Sequence, residues 1–259
     1  MIFVHENNLL TKIRNNYKGL GKVIEDFYNQ RYLPVKEKLL SITFTSDNDM
    51  SFNIATQIFN SYYDELKNFT KIHPITSQSK FESTFLEEMN SYLFKDLPEI
   101  QSGDLGVYNK RIFAGMKINS DSTIEVITKD VDFCIGKGVN ISIDNQPATH
   151  LVLPVVAVEV KTFLDATMFG EVKSSSKAIR NASPNAKTYV LMGYRSLSDV
   201  HIISARNDAA LTEMFALRNS PNDPMHAEVI RDYWLEIRRA VQQVSSDTQV
   251  NMVGRLLNI

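Results

Sequence analysis

Apolar residues recur at spacings of three and four through residues 1–72, with charged residues between them. The stretches "KVIEDFYNQRYL" and "FNIATQIFNSYYDELKNF" carry this period most clearly. It predicts amphipathic helices. "HPITSQ" breaks the pattern, and Ser77 or Ser79 is placed to cap a further helix, "KFESTFLEEMNSYLFKDL", which stops before Pro98. Phe81, Phe85, Met89, Tyr92 and Leu93 form its apolar stripe.

The period then changes to that of strands. "LGVYNKRIFAGMKI" and "STIEVITKDVDFCIG" read as two strands, and "GKGVNISIDNQPATH" carries the turn residues of a hairpin excursion. The next strand runs from Leu151 to Thr162 and contains "VVAVEVKTFLD". "DATMFGEVKSSSKAIRNA" reads as a helix capped by Asp165 and ended before Pro184. "KTYVLMGY" and "VHIISAR" read as two more strands. "MHAEVIRDYWLEIRRAVQQV" is an amphipathic helix whose stripe includes Val229, Ile230, Trp234, Ile237 and Val241. The order predicts an α/β fold, with a mixed central sheet flanked by helices.

Composition narrows the class only a little. A net charge of −2 neither requires nor excludes a nucleic-acid partner. No apolar run is long enough to span a membrane, and the first residues lack the layout of a signal peptide. The single Cys134 excludes an intramolecular disulfide and any cysteine-based zinc cage, and it reads as a small packing residue. A reducing, cytoplasmic setting follows. The five histidines show no metal-ligand spacing, and "GKGVN" is not a phosphate loop, so no nucleotide cofactor is expected.

The informative anomaly is the pair Glu159 and Lys161 inside an apolar run. Alternate residues of a strand share a face, so both point one way, roughly 7 Å apart. Asp132, flanked by Val131 and Phe133, leaves the apolar face of its own strand. An adjacent antiparallel strand can set it beside Glu159. Two neighbouring carboxylates repel unless a proton or a cation relieves them. A hard divalent ion such as Mg²⁺ binds through such carboxylates together with a substrate phosphate. The lysine is then placed to orient the nucleophile or to stabilise developing negative charge. This is chemistry for phosphodiester hydrolysis. The plain alternatives are an ion pair on a solvated face for Glu159 and Lys161, and a strand end for Asp132.

Asp132, a long gap, and then Glu159-Val160-Lys161 at the end of an apolar strand resemble the PD-(D/E)XK nuclease superfamily. A helix before the strands and a helix after the E-x-K match its α-β-β-β-α-β core over roughly residues 76–205. Within it the pattern is most similar to type II restriction endonucleases, although no proline precedes Asp132. The resemblance implies Asp132 and Glu159 as ligands of Mg²⁺, with Mn²⁺ able to substitute, and Lys161 as the catalytic lysine. Many members add a carboxylate from the preceding helix, and Glu82 is the first choice here, ahead of Glu87 and Glu88. A solvated helix residue is the alternative for Glu82.

The implied partner is double-stranded DNA, and a palindromic site would call for a homodimer. We expect one domain over residues 1–259, with a helical region at 1–72 for DNA contact or dimerisation, a catalytic core at 76–205 and a C-terminal helical region at 206–259. Lys173, Lys177 and Arg180 fall on one face of the helix after the motif and are candidates for DNA phosphates, as are Arg195 and, near strand ends, Lys187 and Tyr194. A solvated charged face is the alternative reading of that helix. The rival functions are another nuclease of the superfamily, acting in repair, transposition or as a toxin, and a non-catalytic α/β binding protein.

Overall fold

The computed structural model describes residues 1–142, 148–206 and 210–245. The tip of the expected hairpin excursion and the end of the C-terminal region therefore lie outside the described residues. The chain starts with helices α1 (Val4–Arg14), α2 (Gly21–Phe27), α3 (Leu33–Ser41) and α4 (Asp49–Ile72). A π-helical turn, Tyr28–Tyr32, joins α2 to α3 just before Pro34. Proline lacks an amide hydrogen and collides with the carbonyl four residues back, and a wider turn relieves both. In α4 the apolar period works as read: Phe52, Ala55, Phe59, Tyr62, Leu66 and Phe69 are buried. The side chain of Asn48 caps it at the Ser51 amide.

Helix α5 (Phe81–Phe94) buries all five residues of the predicted stripe. A short α6 (Pro98–Gln101) leads into the sheet. Its first strands are β1 (Gly106–Tyr108), β2 (Ile112–Ile118), β3 (Ile124–Lys129) and β4 (Phe133–Ile141). The two strands expected here are thus four. The first breaks at Lys110 and Arg111, both with positive φ. Asp130, in the second break, accepts a hydrogen bond from the Arg111 amide at 3.0 Å.

Next come β5 (Thr149–Leu164), α7 (Ala166–Ala182), β6 (Lys187–Arg195), α8 (Asp199–Arg206), β7 (Glu213–Arg218) and α9 (Ala227–Ser245). Two expectations change. "VHIISAR" is the helix α8 and not a strand: Ile202 packs inward and Ala205, three residues on, is buried, which is a helical spacing. The last strand, β7, lies inside the 206–259 stretch read as a C-terminal helical region, ahead of its helix, and pairs in parallel with β6.

Among the described residues, seven strands form one mixed sheet centred on β5. Strand β4 pairs with it antiparallel, and β6 pairs parallel along its C-terminal half. Val156, Val158 and Val160 join the large apolar cluster shared with α4, α5 and α9. The opposite face, with Cys134 and Ala157, packs on Ile179 of α7. Side-chain alternation along β5 therefore commits one face to the main core and turns Glu159 and Lys161 toward the other.

Candidate active site

Strand β4 begins at Phe133, opposite Val158. Beyond that pair β5 runs on, flanked by β6 on one side and by no continuation of β4 on the other. Asp132 fills this open edge. Its Oδ2 accepts a hydrogen bond from the Val160 amide at 2.7 Å and lies 3.3 Å from Lys161 Nζ. The same ammonium donates to Glu159 Oε2 at 3.0 Å. The three side chains read from the sequence thus meet around one nitrogen.

The group is recessed but reachable, with side-chain exposures of 28% for Lys161, 27% for Asp132 and 14% for Glu159. It is not the freely solvated pair of the plain alternative. Burial raises the Glu159 carboxyl above the usual range, Lys161 pulls it down, and Asp132 pushes it up again. Burial alone would lower the Lys161 ammonium, yet Asp132 and Glu159 more than offset this and hold it above the ordinary lysine range. At neutral pH it is a cation and a hydrogen-bond donor.

The three helix glutamates separate cleanly. Glu82 accepts a hydrogen bond from Tyr63 at 2.7 Å. Glu88 is fully buried and accepts from the His5 and Glu6 amides and from the hydroxyls of Tyr32 and Tyr92. Glu87 is the one that senses the site: burial and then the Asp132 charge push its carboxyl up to about 7, against the pull of Lys80, Lys161 and Lys110. Its phase on α5 was not legible in the sequence.

The donor set fits a hard divalent cation. Asp132 and Glu159 offer carboxylate oxygens around a point where a positive charge, Lys161 Nζ, already sits. Among the described residues no three His, Cys, Asp or Glu side chains form a ready-made cage. Mg²⁺ needs none, because it usually takes one or two carboxylates and fills its shell with water and phosphate oxygens.

The family model for the Bpu10I restriction endonuclease matches residues 78–246, more than half of the chain. The chain belongs to the Bpu10I restriction endonuclease family. The match takes in α5, the trio at β5 and α9. A solved structure described as the native BbvCI A2B2 tetramer at low resolution is similar in fold, with a TM-score of 0.77 at 15% identity, covering 95% of this chain and 99% of that one. No curated protein matches the chain.

In this restriction-endonuclease chain α7 starts directly after β5, capped by Asp165, whose Oδ1 accepts the Met168 amide at 2.8 Å. Phe169, Val172, Ser176 and Ile179 are its buried stripe. Lys173, Lys177 and Arg180 each follow a buried position by one residue, so they run beside that stripe, with Lys177 exposed. Arg195 is engaged by Asp199 at 2.9 Å. Cys134 is fully buried, and burial pushes its thiol well up, as suits a packing residue. No helix among the described residues is long and apolar enough to cross a membrane.

Proposed function

We propose that this chain is a Mg²⁺-dependent endodeoxyribonuclease that cuts double-stranded DNA at a specific sequence, acting in the cytoplasm. The observation that carries the reading is Lys161 Nζ lying 3.3 Å from Asp132 and 3.0 Å from Glu159 at the open edge of β5. Asp132 and Glu159 would hold the metal, with Glu87 of α5 as the third acidic neighbour in place of Glu82. The bound ion would neutralise charge on the scissile phosphate and lower the pKa of a water. Lys161, kept protonated by its two carboxylates, would donate to a phosphate oxygen and stabilise charge as it develops. Asp132 has a second task, holding the register of the strand end that carries both Glu159 and Lys161. The basic residues of α7 would meet backbone phosphates.

The test is digestion of a large plasmid or phage DNA with Mg²⁺ or Mn²⁺, a chelator control, and sequencing of the ends. Discrete ends that need the metal support the reading. Lys161→Met should reduce single-turnover cleavage by about 10²–10³-fold, the usual cost of one positioned electrostatic donor. Undiminished cleavage by the folded variant removes Lys161 from the chemistry.

A homodimer would give each strand one active site. The BbvCI structure, described as A2B2, favours a second reading in which two unlike chains assemble. The pure chain then nicks plasmid DNA or leaves it intact, where a homodimer linearises it. Mass measurement in solution separates these.

A further inference from the structure

The carboxyl ends of β5, β6 and β7 open onto a second cleft that the phosphodiester chemistry leaves unused. Its volume is about 270 Å³, and Tyr63, Glu82, Thr162, Phe163, Tyr194 and Arg218 line it. Phe163 pairs with Tyr194 across β5 and β6, and Tyr194 pairs with Arg218 across β6 and β7. The three parallel strands therefore deliver an aromatic pair and a guanidinium in one row. The rings of Phe163 and Tyr194 are stacked with centroids 5.9 Å apart.

Arg218 is only 5% exposed. Its guanidinium lies over the Tyr63 ring at 4.3 Å. Its Nη1 donates to the Pro221 carbonyl at 3.5 Å, while the buried Nε finds no hydrogen-bond partner among the described residues. Gly193 makes room for it: a Cβ there would strike the Thr162 carbonyl and lie 3.0 Å from Arg218 Nη2. A buried donor left unpaired is costly. The Glu82 carboxylate, which accepts the Tyr63 hydroxyl, also lines the cleft.

We infer that this cleft receives a single nucleobase, turned out of the duplex beside the cut. The inference rests on the nuclease reading above. A base edge inside a groove is read by side chains that protrude. A recessed guanidinium is reached only by a group that enters. A phosphate would meet the Glu82 charge and the aromatic faces of Phe163 and Tyr194. A nucleobase meets aromatic faces to stack on, a guanidinium in Arg218, an acceptor in Glu82 and the hydroxyls of neighbouring Ser and Thr residues, which is how extruded bases are held. Phe163 follows Lys161 by two residues, roughly 7 Å of strand and about two base-pair steps of B-DNA. The base concerned is thus within about two base pairs of the scissile phosphate.

The experiment uses duplexes carrying the mapped cleavage site, with 2-aminopurine placed at each position near the cut in turn. They are bound by the Asp132→Asn form of the cleaving species in Mg²⁺. Fluorescence at one position should rise severalfold on binding. Arg218→Gln and Phe163→Ala should each abolish the rise while a gel shift still shows the complex. If Arg218→Gln fails to fold, Phe163→Ala decides. Cleavage by the wild-type protein with no brightening at any position overturns the inference and leaves the nuclease reading standing. Binding weakened by one methylphosphonate, without brightening, assigns the cleft to a phosphate and overturns it too. A wild-type protein that cuts nothing, alone or assembled with a second unlike chain, overturns both.

Discussion

The carboxylate of Asp132 accepts the backbone amide of Val160 at 2.7 Å, so the first acidic residue of the site also ends the hydrogen-bond ladder of its sheet. Removing it therefore does two things. Asp132→Ala should abolish cleavage and also destabilise the protein by about 1–3 kcal/mol, the cost of orphaning a recessed amide. Asp132→Asn keeps an acceptor for Val160 and should lose cleavage with a near-native melting temperature. Thermal unfolding and single-turnover cleavage of the two variants separate the roles, and equal melting temperatures would mean that the amide bond contributes nothing.

Glu87→Gln should raise the Mg²⁺ concentration needed for half-maximal cleavage, because it removes an acidic neighbour of Asp132. Glu82→Gln should leave that concentration unchanged, since Glu82 faces Tyr63. Titrating Mg²⁺ for both variants decides between the helix carboxylates. The opposite result returns Glu82 to the metal site.

Lys177 is exposed on α7 beside the buried stripe. If that face meets DNA, Lys177→Ala weakens binding and lowers the slope of log affinity against log salt by about one unit. A slope equal to wild type would place the DNA elsewhere.

Burial lowers the imidazole of His5 to about 3, so it folds neutral. Its Nε2 lies 2.8 Å from the Tyr62 hydroxyl and its Nδ1 3.0 Å from that of Thr84. The unfolded chain binds a proton below its ordinary value of 6.5 while the folded chain does not. Stability should therefore fall as pH drops from 6.5 toward 3, by at most about 1.4 kcal/mol per unit from this group. Glu88, raised by burial, works in the opposite direction as pH falls through its own range. The difference between wild type and His5→Gln isolates the histidine: the gap should narrow as the solution is acidified. A constant gap over that window would show that His5 does not titrate with folding.

Much of this was readable in the chain. The α5 stripe, the apolar run of β5 and the amphipathic α9 follow from periodicity alone, because each buries a continuous face. The trio was readable because charges interrupt an apolar strand. Other features depended on partners distant in sequence. "EMFALR" has helix-forming residues, and only pairing with β6 makes it β7. The β-branched residues of α8 suggested a strand, yet Val200 and Ile203 are exposed on a helix. Glu82 and Glu87 lie about 140° apart around α5, so choosing between them required knowing how that helix sits on the sheet. Arg218 gave no signal, since its meaning comes from Gly193 and Tyr63.

Glu87 and Glu88 are neighbours in sequence with different allegiances, one to the charges of Asp132 and Lys161 and the other to α1–α3. That makes the N-terminal helices a buttress. Excising residues 1–7 would strip Glu88 of the His5 and Glu6 amides and Ser91 of its bond to the Ile2 carbonyl. The orphaned carboxylate would have to reach water, and α5 would re-seat to let it, carrying Glu87 along. Trimming or nicking this stretch by a protease is therefore expected to weaken cleavage from the back of the core.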